Sequence, residues 1–404
     1  MLTRRAALAG SAALGMVAHS ARAQAKPTLK VGVLNDQSGP YRDNGGPGSV
    51  ACARQAVQEM AATLGLNVEV VSANHQNKPD IGASIARQWY DQEGVDVILD
   101  IQNSAIALAI AGLAREKDKI VMPCAGVSDL TGKHCTPNTV HWCYDTNMLA
   151  RVIGDALVKN GGDTWFFITA NYAFGHSLEN DTAQRVKATG GKVAGSVRLP
   201  FPTTDFSSAL VQAQASGAKI IALANAGNDT TNAIKQAAEF GVTRGGARLA
   251  ALLLQISDIH AIGLEAAQGL ALTETFYWDL NDRTRAFSGR VRQALSGAAP
   301  TAPQAACYAA TAHYLKAAAA IGAAEAKKSG RAAVERMKAM APDDDVFGRS
   351  QIRADGRVLH TAYLFQIKSP AESRQGWDYY KTVETIPADQ AFRPLSENGC
   401  PLVQ

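Results

Sequence analysis

Three groupings of residues in this 404-residue chain could do chemistry. The first is a run of metal-type donors, Cys124, His134, Cys135, His141 and Cys143. Zinc sites favour two close ligand pairs. The run instead reads Cys-x10-Cys and then Cys-x5-His-x-Cys, so no metal is expected. The second would be a nucleophile, but neither a G-x-S-x-G elbow nor an H-E-x-x-H helix occurs. His176 follows Phe174-Gly175 without a Ser or Cys partner in any local motif, so an enzyme is not expected.

The third grouping is a set of polar loops rich in Gly, Ser, Asn and Asp. They are Asn35–Tyr41 with Gly45–Gly48, Asp100–Ser104, Pro123–Thr131, Ala170–Gly175 and Asn225–Asp229. Each follows a short apolar run, and three open a helical pattern. Free N–H groups at a helix start suit a ligand carboxylate. One such loop says little, because every strand-to-helix turn needs these residues. Five in phase point to binding.

The elements that must hold these loops are legible as an alternation. Apolar runs Leu29–Leu34, Val68–Val71, Val95–Leu99, Ile120–Met122, Trp165–Ile168, Val193–Leu199, Ile220–Ala224 and Leu249–Leu254 read as buried strands. Between them lie helical patterns such as Gly48–Thr63, Ala105–Lys117, Leu178–Gly190 and Thr230–Phe240. Gly190-Gly191 and Gly241 are expected to end helices, and Asp205 and Asp229 to cap them. Thr139–Tyr144 reads as a further strand, and a helix over Asn147–Asn160 opens a second series. Helices over Asp282–Leu295 and Ala302–Ala324 follow, then a hairpin in Ser350–Phe365 turning on Asp355-Gly356. The fold class expected is α/β, as two Rossmann-like lobes with a hinge and a ligand cleft between them. In open α/β sheets ligands bind outside the carboxyl ends of the strands, where these loops lie. The boundaries expected are 28–145 plus 277–345 for the first lobe, 146–276 plus 346–390 for the second, and a tail over 391–404.

The N-terminus carries Arg4-Arg5, an Ala/Gly/Leu stretch from Ala6 to Ala18, and Ala21-Arg22-Ala23. That order reads as a twin-arginine-like export signal over 1–23, cleaved near Ala23 into the periplasm. Lys and Arg number 40 against 36 acids, and the signal removes three of those arginines. The near-neutral remainder has no basic stripe, which argues against nucleic acid and anionic membrane as partners. Six dispersed cysteines are too few for a disulfide scaffold. Cys135, in a loop, and Cys400, in the tail, are the expected pair because both lie outside regular elements. Cys52 and Cys307 fall within helical patterns and read as buried thiols.

The stretches KVGVLNDQSGPY, HQNKPDIGASIARQWYDQEGVDVILD, SDLTGK, TANYAFGHSLE, ANAGNDTTNAIKQAAEFG and ADGRVLHTAYLFQIK carry a resemblance. Spread from about Val31 to Lys368, they resemble the periplasmic solute-binding proteins of ABC importers, in the leucine/isoleucine/valine-binding family. The resemblance implies a type I periplasmic binding fold, a monomer without cofactor, and an inner-membrane ABC permease as partner. It makes Ser104, beside Asn103, a donor to a ligand carboxylate, and offers backbone groups of Cys124, Ala125, Gly126 and Val127. Phe174 stands where the family often has Tyr, and Asn171 where an acid is common. A carboxylate for a ligand ammonium would come from Gln255–Asp258, in which Asp258 is the acid. Asn225 would face the solute from the second lobe, Tyr277 and Trp278 would wall the pocket, and Tyr41 would cap it. The solute implied is a branched-chain or other amino acid. An aromatic carboxylate of benzoate or phenylpropanoid type is the alternative, and a periplasmic ligand sensor is a third reading.

Overall fold

The computed structural model describes residues 26–403, so the expected export segment lies outside the described residues. Strands β1 (Thr28–Asn35), β2 (Asn67–Asn74), β3 (Val97–Asp100) and β4 (Ile120–Pro123) form a parallel sheet in the order β2-β1-β3-β4. β3 and β4 are buried throughout, with helices α1 (Gly46–Met60), α2 (Pro79–Gln88) and α3 (Ser104–Glu116) in the crossovers. That is why they read as unbroken apolar runs, whereas the edge strand β2 is only partly covered.

Helices α4 (Thr146–Leu149) and α5 (Asp155–Lys159), joined by a π-turn over Ala150–Gly154, lead into the second series. Strands β5 (Thr164–Ala170), β6 (Lys192–Leu199), β7 (Ile220–Ala224) and β8 (Arg248–Ala251) pair in the order β6-β5-β7-β8. The repeated order makes the second lobe a structural echo of the first. Its helices are α6 (Ala173–Ala188), α7 (Ser207–Ala215), α8 (Asn228–Glu239), α9 (Ile256–Ile262) and α10 (Leu264–Ala267). The chain then runs through β9 (Ala271–Glu274), α11 (Asp282–Val291), α12 (Ala302–Ile321), α13 (Ala323–Lys328) and α14 (Gly330–Lys338). Two short ribbons follow, β10 (Asp343–Asp344) with β11 (Gly348–Arg349), and β12 (Gln351–Ile352) with β13 (Val358–Leu359). Finally β14 (Ala362–Ile367) pairs antiparallel with both β15 (Tyr380–Ile386) and β9.

Several local expectations are corrected. Thr139–Tyr144 makes only isolated bridges, Val121 to Thr139 and His141 to Arg357, because the His141 N–H donates to Gly356 O at 2.8 Å instead. The ribbon β12–β13 therefore sits against this crossing segment. Its hairpin is shorter than expected, since residues from Ala362 onward join the antiparallel sheet. Gly322, at φ 88°, divides the expected single helix into α12 and α13. Asp229 does not cap α8; Gly227 precedes the helix, and Asp229 accepts from Thr203 N at 3.2 Å. Asp205 lies one residue outside the α7 cap and accepts from Ser207 N at 2.9 Å.

Cys135 and Cys400 are joined as a disulfide with Cα atoms 5.6 Å apart, tying the C-terminal tail to the loop after β4. Cys52, Cys124, Cys143 and Cys307 are buried free thiols.

Candidate ligand-binding cleft

In each parallel sheet the strand order reverses direction between the first and third strands. A crevice opens at such a switch point, outside the carboxyl ends of the strands. The loops after β1 and β3 should therefore face those after β5 and β7. They do, around a small cavity that both lobes line. Tyr41, Asn44 and Gln102 come from the first pair of loops, and Tyr172, Phe174 and Ala226 from the second pair. Gly126 after β4, Tyr144 near the crossing, and Leu253 after β8 complete the wall.

The first-lobe loop is organised by Asp36. Its carboxylate accepts from Gly39 N at 2.7 Å and Tyr41 N at 2.9 Å, which fixes Tyr41 at the mouth. Gln102 braces the same loop when its amide is oriented to donate to Tyr41 O (3.2 Å) and accept from Gly45 N (3.1 Å). Across the cleft, the Tyr41 and Tyr172 hydroxyls are hydrogen-bonded at 2.5 Å, and both rings stack on Phe201, at centroid separations of 5.2 and 4.6 Å. Asn228 N donates to Pro40 O at 3.2 Å beside them. The lobes are thus in contact. Burial pushes the Tyr41 and Tyr172 phenols above their ordinary range, so both stay protonated as hydrogen-bonding groups.

Of the residues expected here, Tyr41, Gly126 and Phe174 line the cavity. Phe174 packs so closely over Gly126 that a Cβ there would lie 2.6 Å from its ring. Ala125 and Val127 are buried on either side. Ser104 is fully buried at the start of α3, and its hydroxyl has no hydrogen-bond partner. The cap of that helix is Asn103, whose Oδ1 accepts from Ala105 N (3.1 Å) and Ile106 N (3.3 Å). Asn103 is thereby committed to its own backbone.

Asn171 is exposed and bonds His176 at 2.8 Å, away from the cavity. Asn225 is also engaged locally, its Oδ1 accepting from Thr230 Oγ1 at 2.6 Å. Tyr277 stands apart from the cavity among Phe365, Tyr380 and Trp278, and its hydroxyl donates to Trp377 O at 3.3 Å. Trp278 donates to the same carbonyl at 2.7 Å. Neither is in the cavity wall. Asp258 lies one shell back, accepting from Gln255 N (2.8 Å) and from the cavity residue Asn44 (Nδ2, 3.3 Å). Burial pushes its carboxyl up to about 7. Glu274, behind Tyr144 and Tyr380, is also driven well above the carboxylate range by burial, and its Oε2 has no partner.

Asn44, Gln102, Tyr144, Tyr172, Ala226 and Leu253 were not among the expected contacts. Gln102, Tyr172 and Ala226 sit inside the quoted loops, where position alone could have found them. Leu253 lies within the apolar run Leu249–Leu254 and carries no signal.

Two similar α/β lobes with a shared cleft at their switch points, closed by contacts from both, define a two-lobed solute receptor. The chain belongs to the periplasmic binding protein family, whose model matches residues 28–374. It is similar to a solved periplasmic binding protein from Burkholderia mallei, at 46% identity and TM-score 0.89, covering 93% of this chain and 99% of that one. A second structure, from Burkholderia xenovorans LB400, is described as a branched chain amino acid ABC transporter periplasmic ligand-binding protein. It is 37% identical with TM-score 0.81, covering 93% of this chain and 100% of that one. An R. palustris solute-binding protein solved with benzoate shares the fold at 21% identity and TM-score 0.81, covering 93% and 100%.

Proposed function

We propose that this protein is the exported solute receptor of an ABC importer and that it captures a small carboxylate with an aromatic body. The observation that carries the solute class is the make-up of the cavity wall. Tyr41, Tyr144, Tyr172 and Phe174 contribute four aromatic rings, Leu253 an apolar side chain, and Asn44 and Gln102 neutral amides. No ionised group is among the lining residues. An amino acid brings an ammonium group into this closed site, and a buried cation without an anionic partner is costly. A ring stacked among aromatics has no such requirement. The unpartnered hydroxyl of Ser104 is the group assigned to the carboxylate.

Closure supplies the mechanism. Contacts from both lobes are complete only when the loops after β1 and β5 meet, so the solute shifts the population toward the closed form. That form docks on the permease as a monomer, after the leader is cleaved near Ala23.

One observation favours the amino-acid reading instead. Asn44 links the cavity to the Asp258 carboxyl, which an arriving ammonium would draw back to its ionised form. Calorimetry with benzoate, phenylpropanoate, phenylalanine and leucine distinguishes the two. Binding of the des-amino acids with Kd at least tenfold below their amino counterparts supports the aromatic carboxylate. Tighter leucine or phenylalanine binding refutes it.

A further inference from the structure

Behind the Cys124–Val127 wall of the cleft, the first lobe holds a cluster that solute capture does not use. Asp100 ends β3, Cys124 follows β4, and Cys307 faces them from α12. Their ligand-type atoms all lie within 4.8 Å of one another. All three residues are buried, at 0, 2 and 1% exposure. Two further thiols adjoin, Cys143 beside Cys124 and Cys52 of α1 beside Cys307, while Cys124 Sγ donates to Pro303 O at 3.8 Å. Asp100 Oδ2 accepts from Asn35 Nδ2 at 2.8 Å, whereas Oδ1 has no partner. The Ser49 hydroxyl, next to Asp100 and Cys307, is likewise buried without one.

This arrangement is expensive for an empty core. A buried carboxyl with one orphaned oxygen and no neighbouring cation is only partly compensated for its lost hydration by the Asn35 amide. The backbone that carries it is held at positive φ, 73° at Asp100 and 37° at Ile101, a strained geometry for non-glycine residues. Two sulfurs and a carboxylate oxygen converging from three elements form a donor set that zinc-class ions accept.

We propose that Asp100, Cys124 and Cys307 form a buried site for a divalent ion of the zinc class, with the Ser49 hydroxyl at the fourth position. As the two metal–sulfur bonds form, the S–H bonds of Cys124 and Cys307 break and both protons pass to solvent. Three anionic donors then meet two positive charges. The Cys143 S–H moderates the surplus by donating to the Cys124 sulfur. Because the donors are inaccessible, the ion is acquired as the chain folds. It would pin β3, β4 and α12 together directly behind Gly126, stiffening the wall against which the solute is gripped.

The test uses the mature protein with its Cys135–Cys400 disulfide intact, refolded from urea with Co²⁺ or Zn²⁺. The expected result is one ion per chain, a thiolate-to-cobalt charge-transfer band, and a native mass equal to protein plus metal less two protons. The band should vanish in Cys307→Ser and persist in Cys143→Ser. If Cys307→Ser fails to fold, the thiolate-to-cobalt charge-transfer band of the unmodified protein still decides, since an ion held by oxygen or nitrogen alone gives none. Absence of stoichiometric metal overturns the proposal. So does a disulfide mapped between Cys124 and Cys307, which would make these thiols a redox pair.

Discussion

The hydroxyls of Tyr41 and Tyr172 meet at 2.5 Å across the cleft, although 131 residues separate them in the chain. One belongs to the loop after β1 and the other to the loop after β5, equivalent positions in two sheets of the same strand order. The contact exists only when the lobes are together. Tyr172→Phe deletes this bond and keeps the ring stacked on Phe201. It should weaken solute binding by about 0.5–1.5 kcal/mol, or roughly two- to twelvefold in Kd. Calorimetry measures this, and unchanged affinity would remove the tyrosine pair from the closure mechanism.

Gly227 sits at the same seam with φ 59°, and a Cβ there would lie 2.4 Å from Pro40 O and 2.9 Å from the Tyr41 ring. Gly227→Ala should therefore oppose closure, in addition to the backbone strain that an alanine at this φ imposes on the fold in both states. Affinity is expected to fall at least about tenfold, since 1.4 kcal/mol suffices for that. Small-angle scattering with saturating solute should show a more open particle than the parent's.

Ser104 presents a buried hydroxyl with no protein partner, while Asn103 does the capping. Ser104→Ala should cost about 1.5–3 kcal/mol in binding if that hydroxyl meets a charged carboxylate oxygen. Solute-free thermal stability should change little, because the substitution removes no protein–protein hydrogen bond.

The fold was legible to the extent that local pattern decides it. Buried parallel strands must be continuous apolar runs, so the two α/β series and the polar loops in phase with them could be read directly. Side-chain roles within those loops were harder to read, because a loop that starts a helix must spend some polar groups on its own backbone. Asn103 is spent this way on the α3 cap, while Asn225 is taken up by the Thr230 hydroxyl and Asn171 by the His176 ring. Nothing local distinguishes them from Asn44 and Gln102, which reach the cavity. Tyr277 was misplaced for another reason. Its ring satisfies the packing of β14 and β15, a partnership set by residues about a hundred positions later. The Cys124–Cys307 approach is likewise invisible to spacing, since α12 brings it about from 183 residues away.

Asp258 is buried with its carboxyl raised to about 7. A raised folded-state value means the native protein binds this proton more tightly than the unfolded chain. Asp258 therefore contributes stability near pH 4 that is lost as pH rises toward 7. Asp258→Asn removes the titration. Its stability relative to the parent should improve across that window, by up to about 1.4 kcal/mol per pH unit. Urea unfolding at pH 4, 5.5 and 7 checks this, and a pH-independent difference would contradict it.

The Cys135–Cys400 bond closes a loop across most of the described chain. Cys400→Ser should lower unfolding free energy by about 2–4 kcal/mol, measured by urea denaturation. Peptide mapping of the unreduced parent should find neither cysteine alkylated.

The central claim is that the cleft takes an aromatic carboxylate. Its most direct test is thermal unfolding of the mature protein, freed of co-purified solute, against aromatic acids and branched-chain amino acids. At about a hundredfold excess over Kd a true solute adds about 2.7 kcal/mol. At about 2–4 °C per kcal/mol, the melting temperature should rise by roughly 5–11 °C. A shift of that size with benzoate-type acids, absent with leucine, is the predicted result. A shift with leucine and none with the aromatic acids would contradict it.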